Sequence, residues 1–267
     1  MNTRRFSIAV LIFAVTTFLT PLASAITKTT DSSDLWWIHT ESGWGIQLVQ
    51  NHNTIFATLF AYGPDNQPIW YTATLIYEGS SVWSGTLYKT TGPWFGAGVF
   101  DPSTVTVVAV GTMTVTATSI ATATLTYTVN GVAVTKAIER ELLALENFAG
   151  IYAAVFGQQA GTGTGCNAAA VFDSLPASVA ITQSATAMTL TIDANGDTCS
   201  FTGAYSQTGH FGRAFGNYTC TSGASGTFDF FEMVRTHADF RARTSITRGG
   251  CTIKGRMVGL EQPLPPQ

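Results

Sequence analysis

Charged residues are scarce in this 267-residue chain. Lys and Arg number 13, Asp and Glu number 16, and together they make up only 11% of the sequence. A nucleic-acid-binding domain carries a concentrated basic patch, which this mildly acidic composition does not supply. We therefore expect no nucleic-acid partner.

After residue 25 the sequence lacks any apolar run of about 18 residues, the length that a membrane-spanning helix needs. The first 25 residues have the order of a secretory signal: Arg4 and Arg5, an apolar stretch, then Ala23-Ser24-Ala25. An uncleaved anchor is the alternative, but threonines and Pro21 interrupt the apolar stretch, which favours cleavage after Ala25. The sequence thus predicts an exported protein, periplasmic or extracellular, without a membrane span.

Cysteine is absent from the first 165 residues, and all four cysteines follow. No C-x-x-C pair occurs, which argues against a zinc site and favours two disulfides in an exported protein. Three pairings are open. Cys199 and Cys220 flank a hairpin-like stretch with a turn near 206–210, so we predict Cys199–Cys220 and, with it, Cys166–Cys251.

Catalytic and metal-binding motifs are also missing. There is no H-E-x-x-H and no G-x-S-x-G, and the four histidines stand singly, so we expect no metal and no cofactor. Glu41 is the one acid that invites a catalytic role, but glycoside hydrolysis needs two facing carboxyl groups. A lone carboxylate here is interpreted as a partner of backbone amides or of an arginine such as Arg140.

Helical patterns are nearly absent as well; the one candidate, 140–148, is short and is interpreted as a linker. Short β-branched runs separated by turn residues predict an all-β chain. Its two halves echo one another loosely, as Gly111-Thr112-Met113 and Gly226-Thr227-Phe228 do. We predict two tandem antiparallel meander β-barrel-like (calycin-like) domains after the signal peptide. The expected segments are 1–25 signal, 26–142 Trp-rich domain, 143–262 disulfide-bonded domain and 263–267 disordered tail.

All six tryptophans, in contrast, lie between residues 36 and 94. Trp36-Trp37-x-x-x-Glu41-Ser42-Gly43-Trp44-Gly45, followed by aromatic strands through Tyr71, resembles a β module of uncharacterised secreted bacterial proteins. The segment around Cys199 and Cys220 looks like a companion domain of the same group. The resemblance implies bacterial export and co-occurrence with other domains, and it implies no activity.

Alternate residues of a strand share a face, so Phe56, Phe60 and Tyr62 should face away from Ile55 and Leu59. One set is expected to fill the barrel and the other to meet a partner outside. We therefore predict a non-enzymatic binding module for a glycan or a small apolar or aromatic ligand. A protein-directed envelope factor, acting through the loop 91–103, is the first alternative and a hydrolase the second. The candidate ligand-binding residues are Trp36, Trp37, Glu41, Trp44, Trp70, Tyr71 and Trp94.

Overall fold

The computed structural model describes residues 30–96, 98–166 and 174–263. These residues form two closed antiparallel β-barrels of eight strands each, joined by an irregular connection. The predicted fold class is confirmed. The predicted signal peptide and residues 264–267 of the predicted tail lie outside the described residues.

The first barrel is a simple meander in which each strand pairs with the next and β8 pairs with β1. A 3-10 turn, Pro102–Thr104, lies in the loop between β5 and β6. Its strands are β1 Asp34–Trp37, β2 Gly45–Asn51, β3 Thr54–Tyr62, β4 Pro68–Gly79, β5 Val82–Thr91, β6 Thr106–Ala117, β7 Thr122–Val129 and β8 Val132–Arg140.

The second barrel repeats the meander and closes through pairing of β17 with β9. The two-residue strand β10 adds to the start of β17. The strands are β9 Gly150–Gln158, β10 Thr162–Gly163, β11 Leu175–Gln183, β12 Ala187–Ala194, β13 Asp197–Thr208, β14 Phe211–Cys220, β15 Ser225–Arg235, β16 Asp239–Arg248 and β17 Cys251–Glu261.

Each barrel encloses its own core. In the first, the middle is filled by side chains from every strand, including Trp36, Trp83, Leu59 and Leu125, all at most 2% exposed. In the second, the core is built mainly from phenylalanine and tyrosine rings, with Phe201 stacked on Tyr218 at 5.0 Å. The inward and outward faces alternate along the strands as period-2 patterning requires.

Two local features show how the sequence shapes the first barrel. Asn130 and Gly131 both have positive φ, 50° and 85°, as the tight turn between β7 and β8 requires. Gly111 lies where the backbones of the neighbouring strands β6 and β7 approach closely: a Cβ at that position would be 1.9 Å from the carbonyl oxygen of Thr128. Only glycine allows this approach, which is accompanied by a register shift between β5 and β6.

The connection 141–149 contains no helix, so the helical candidate at 140–148 is corrected. Arg140 ends β8, and the backbone that follows is held by side chains of the second barrel instead of by a helical ladder. Gln207 Oε1 accepts from Glu146 N at 2.8 Å, and Gln183 Oε1 accepts from Phe148 N at 2.8 Å. The Phe148 ring is fully buried in the core of the second barrel.

Both disulfides lie in the second half. Cys199 and Cys220 are directly opposite residues of β13 and β14, which is the pairing that the hairpin predicts. The second bridge joins Cys166 to Cys251 at the start of β17. Disulfides form and persist in oxidising compartments, so the two bridges agree with the predicted export. The described part of the chain contains no apolar helix of a length that could span a bilayer.

The two barrels meet around a buried arginine. The Arg140 guanidinium lies 4.5 Å from the Trp36 ring of the first barrel and 4.9 Å from the Phe211 ring of the second. It donates to Asp34 Oδ2 at 3.0 Å and to the carbonyl oxygens of Ser33, Asp31 and Ile120. Aromatic faces and oxygen acceptors thus compensate the charge of a side chain that is only 2% exposed.

Candidate binding site at the open end of the first barrel

The first barrel has two different ends. β8 runs from the turn at Asn130-Gly131 to Arg140 at the junction with the second barrel, so these two points mark opposite ends. The end remote from the junction carries the loops 38–44, 63–67 and 92–105. We call it the open end, because a cavity of about 570 Å³ lies there.

The wall of this cavity is mostly apolar. Aliphatic groups come from strands β3, β4, β6, β7 and β8, whose inward-facing positions continue from the filled core below. The polar contributors are tyrosines, one lysine and the turn asparagine. The lining residues are Ala61, Tyr62, Gly63, Pro64, Ile69, Tyr71, Lys89, Val110, Tyr127, Val129, Asn130, Val132 and Val134.

Tyr71 and Tyr127 bring hydroxyl groups into this apolar cavity. Tyr71 is 8% exposed, and burial raises the pKa of its phenol. Burial also raises the pKa of Tyr127, with the neighbouring Lys136 lowering it and Tyr71 raising it. Within the described residues neither hydroxyl has a hydrogen-bond partner. Both phenols are therefore neutral at ordinary pH and free to donate or accept one bond.

Glu41, Trp44 and Lys136 form a second cluster, at the base of loop 38–44. Glu41 Oε2 accepts from Trp44 Nε1 at 3.0 Å and from Lys136 Nζ at 2.5 Å. The ammonium of Lys136 also lies 5.4 Å from the centre of the Trp44 ring. Trp44 packs against the core of the barrel. The cluster thus fixes loop 38–44 to β8, and the partner of Glu41 is Lys136, not the arginine that the sequence suggested.

The hydrogen bond from Lys136, the largest influence, lowers the pKa of the Glu41 carboxyl, and the bond from Trp44 lowers it further. A carboxyl held in its ionised form has no proton to donate near neutral pH. The arrangement therefore gives Glu41 a structural use, as the anchor of Trp44 and Lys136, and offers no support for a role as general acid.

Trp36 and Trp37 lie away from the open end. The Trp36 ring is buried at the junction, where it donates from Nε1 to the Ser32 carbonyl oxygen at 3.0 Å and stacks on Arg140. Trp37 is half-buried in β1, paired with Glu139 of β8. With 2% of its surface exposed, Trp36 presents no ring face to a ligand.

Trp70 lies on the outer wall of the barrel, directly opposite Phe60 of β3, and both rings are about half exposed. Their neighbours on this wall, Phe56 and Ile76, are exposed to the same degree. The alternation that the sequence predicts is thus present: Ile55 and Leu59 fill the interior while this aromatic set faces outward.

Trp94 belongs to the loop between β5 and β6 at the open end. It is 69% exposed, and its only ring neighbour within the described residues is Phe95, at 5.7 Å. Val99 and Phe100 of the same loop are also exposed. The seven residues proposed from the sequence thus divide among three places: the open end, the junction and the outer wall.

The histidines do not assemble into a metal centre within the described residues. His39 contacts Glu139, His52 contacts Asn51 and His210 contacts Asp34. Among residues 30–96, 98–166 and 174–263, one group of three has the spacing of metal ligands, Asp197, Cys199 and Cys220, and its two sulfurs are joined in a disulfide. No thiolate is left there to bind an ion.

Sequence reasoning missed Lys136 and Tyr127, although the strand patterns contain a signal for both. In β7 the order Ala123, Leu125, Tyr127 places tyrosine on the inward face. In β8, Val134, Lys136 and Ile138 share the inward face, so a charged side chain points where apolar ones are expected. A lysine on an inward face near a barrel end indicates an opening or a buried partner.

Fold and site together define a two-barrel β protein whose first barrel has a packed core and a cavity at the end remote from the junction. Comparison with protein-family models, with curated proteins and with solved structures found no match to this chain.

Proposed function

We propose that this protein is an exported binding module that takes a small apolar or aromatic molecule into the open end of its first barrel. The observation that carries the proposal is the cavity of about 570 Å³, lined by aliphatic groups and by two unpartnered tyrosine hydroxyls. Ligand sites are usually concave, largely apolar and about 300–1,000 Å³ in volume, with a few polar groups that orient the ligand.

The lining favours an apolar or aromatic ligand over a glycan. A sugar ring presents several hydroxyl groups, and each loses hydration when it enters an apolar cavity. The polar side chains at hand are three tyrosines (Tyr62, Tyr71 and Tyr127), Lys89 and Asn130, and the other lining groups are mainly aliphatic. A flat molecule with one hydroxyl or carbonyl group fits this balance, because it buries apolar surface and needs a single oriented bond.

The test is a titration with N-phenyl-1-naphthylamine, a neutral aromatic probe whose emission rises in apolar surroundings. Ala61 lines the cavity, so Ala61→Phe should fill part of it and weaken binding by about tenfold or more, the loss that steric filling of a small pocket produces. Ala137→Phe adds the same ring to the exposed outer face of β8 and serves as the control.

The expected result is saturable binding that Ala61→Phe reduces and Ala137→Phe leaves unchanged, with both variants folded by circular dichroism. Equal binding by both variants and the parent chain would place the probe elsewhere. Absence of binding by the parent chain to a panel of neutral aromatic and aliphatic compounds would also count against the proposal.

The second candidate function is that of a protein-directed envelope factor, and the loop between β5 and β6 favours it. Trp94, Phe95 and Val99 are 69%, 94% and 93% exposed, an unusual display of apolar side chains on one loop. A pull-down from culture supernatant with Trp94→Ala, and with Trp70→Ala as the control, separates the two functions. Loss of a protein partner in the Trp94 variant alone would favour the envelope factor.

We infer a periplasmic or extracellular location from the two disulfides and from the order of the first 25 residues. The resemblance of the Trp-rich half to secreted bacterial proteins points the same way. N-terminal sequencing of the exported protein tests this, with Ile26 expected as the first residue. A mature protein that retains residues 1–25 would contradict it.

A further inference from the structure

The outer wall of the second barrel carries a group of basic side chains that the proposed function does not use. Arg243 of β16 and Arg256 of β17 are directly opposite one another in the register of the two strands. Ser245 and Lys254 form the next outward-facing pair. Opposite residues of an antiparallel pair have Cβ atoms about 5 Å apart, and like charges in such positions repel.

These cations border a cavity of about 340 Å³ on the outer wall. Part of its floor is backbone, because Gly157, opposite Arg256, has no side chain on the outward face of β9. Two glutamines and a phenylalanine ring complete the wall. The lining residues are Gly157, Gln158, Gln159, Phe231, Arg243, Thr244, Lys254, Gly255 and Arg256.

The described residues that line this cavity include no carboxylate. Glu232, which is not among them, accepts a hydrogen bond from Arg243 Nη1 at 3.1 Å. Glu232 has a positive φ of 48° in a bulge of β15 and also accepts from Thr30 Oγ1 at 3.1 Å. A neighbouring cavity of about 270 Å³ shares two of these arginines but is bordered by Glu232 and Asp31, which makes it less suited to an anion.

Arg256 and Lys254 are both exposed, and within the described residues neither side chain forms an ion pair or a hydrogen bond. Arg243 is oriented by Glu232 on one side and by the Phe231 ring, 5.5 Å away, on another. One fixed arginine, one free arginine and one free lysine therefore converge on a cavity whose other polar side chains are the amides of two glutamines. All of these can donate a hydrogen bond to an oxygen anion.

We propose that this cavity binds a phosphate group, free or carried on a larger molecule. The planar fork of arginine matches the oxygen geometry of phosphate, and lysine adds a mobile positive charge. The bound anion also relieves the repulsion between Arg243 and Arg256. The site is independent of the open end of the first barrel, so either can be correct without the other.

The experiment is isothermal titration calorimetry of the mature chain at fixed ionic strength with inorganic phosphate, with glucose 6-phosphate and with glucose. Vesicles containing phosphatidylglycerol form a separate arm, which distinguishes a lipid phosphate from a small soluble one. We expect saturable binding in at least one phosphate arm and none with glucose.

Arg256→Gln is the test variant, and Arg248→Gln is its matched control, since Arg248 is an exposed arginine of the same barrel outside the cavity. Loss of a charge-assisted bond weakens binding by about tenfold or more in Arg256→Gln, with no change in Arg248→Gln. Arg256→Gln should also unfold at no lower temperature than the parent chain in phosphate-free buffer, because a repulsion is removed. Equal losses in both variants, or no binding in any phosphate arm, would overturn the proposal.

Discussion

Asp34, at the start of β1 in the first barrel, accepts a hydrogen bond from the His210 ring of the second barrel at 2.8 Å. The same carboxylate oxygen accepts from Arg140 Nη1 at 3.0 Å and from the backbone N–H of His210 at 3.2 Å. One carboxylate therefore holds the buried arginine of the junction and the loop between β13 and β14 together. This arrangement couples the two barrels.

Asp34→Asn tests that coupling. The variant keeps the size of the side chain but removes the ion-pair partner of the 2%-exposed Arg140, and breaking such a buried pair costs about 3 kcal/mol. We expect the unfolding transition in calorimetry to move to lower temperature and to separate into two, one for each barrel. Glu141→Gln, which removes a neighbouring charge that has no partner in the described structure, should leave the transition unchanged. A single unshifted transition in Asp34→Asn would show that the junction does not couple the barrels.

The junction also predicts a pH dependence. Burial, the largest influence on Asp34, raises the pKa of its carboxyl, but the hydrogen bonds from His210 and Arg140 together outweigh it and hold the pKa below its usual 3.8. Because the folded-state pKa is lowered, this stabilisation is fully present above pH 3.8 and is lost as the pH falls through the lower folded-state value. The difference in melting temperature between the parent chain and Asp34→Asn should therefore be constant from about pH 5 upward and shrink in acid. A difference that grows in acid would contradict the assignment.

The two disulfides should differ in their contribution to stability. Cys199–Cys220 closes a separation of 21 residues and Cys166–Cys251 one of 85. By the loop-entropy model, their removal as paired Cys→Ser variants costs about 3 kcal/mol and about 4–5 kcal/mol respectively. Denaturant unfolding of the two paired variants measures the difference. If the shorter bridge proves the more stabilising, native contacts outweigh loop closure as the source of the effect.

Gly111→Ala tests the close approach of the β6 and β7 backbones. Its Cβ would overlap the Thr128 carbonyl oxygen, so the strands must separate locally, at a cost of about 3 kcal/mol. Gly131→Ala is the control: its Cβ would meet open space, and the positive φ alone should cost about 1 kcal/mol of stability.

All six tryptophans lie in the first barrel, so tryptophan fluorescence during urea unfolding reports on this barrel alone. Equal losses of stability in the two variants would contradict a close approach of the two backbones at Gly111.

Much of the fold could be predicted from local patterns. The alternation in 54–62 and the Asn130-Gly131 turn define β3 and the β7–β8 hairpin directly, because period and turn chemistry are local properties. β1 was missed: Asp34–Trp37 has only four residues and no alternation to recognise, yet it closes the barrel. Closure of the barrel requires β1 to pair with β8, which is distant in the sequence, and a local pattern cannot show such pairing.

The predicted similarity between the two halves places one pair of glycines in equivalent strands but not another. Gly111 and Gly226 both belong to the sixth main strand of their barrels, β6 and β15, and each lies against the backbone of the next strand. The segments that begin at Gly85 (Gly-Thr-Leu-Tyr) and at Gly203 (Gly-Ala-Tyr) also resemble one another, but these two glycines lie in the fifth and the fourth main strand respectively. Glycine is so frequent in this chain, with 26 residues, that matching glycines alone do not fix an alignment.

The candidate site was less predictable than the fold. Glu41, Trp44 and Tyr71 were selected for their residue types, and the structure does place all three toward the open end of the barrel. Their neighbours Lys136 and Tyr127 come from β8 and β7, far along the chain: Lys136 is 95 residues from Glu41. Only the closed sheet brings these strands together, so no spacing along the chain could reveal the cavity.

A crystal soaked with 6-bromo-2-naphthol, measured at the bromine absorption edge, would test the binding proposal most directly. We expect an anomalous peak inside the open end of the first barrel, with the naphthol oxygen within hydrogen-bond distance of the Tyr71 or Tyr127 hydroxyl. A peak on the outer wall between Phe60 and Trp70, or no peak in a crystal whose open end is accessible to solvent, would contradict it.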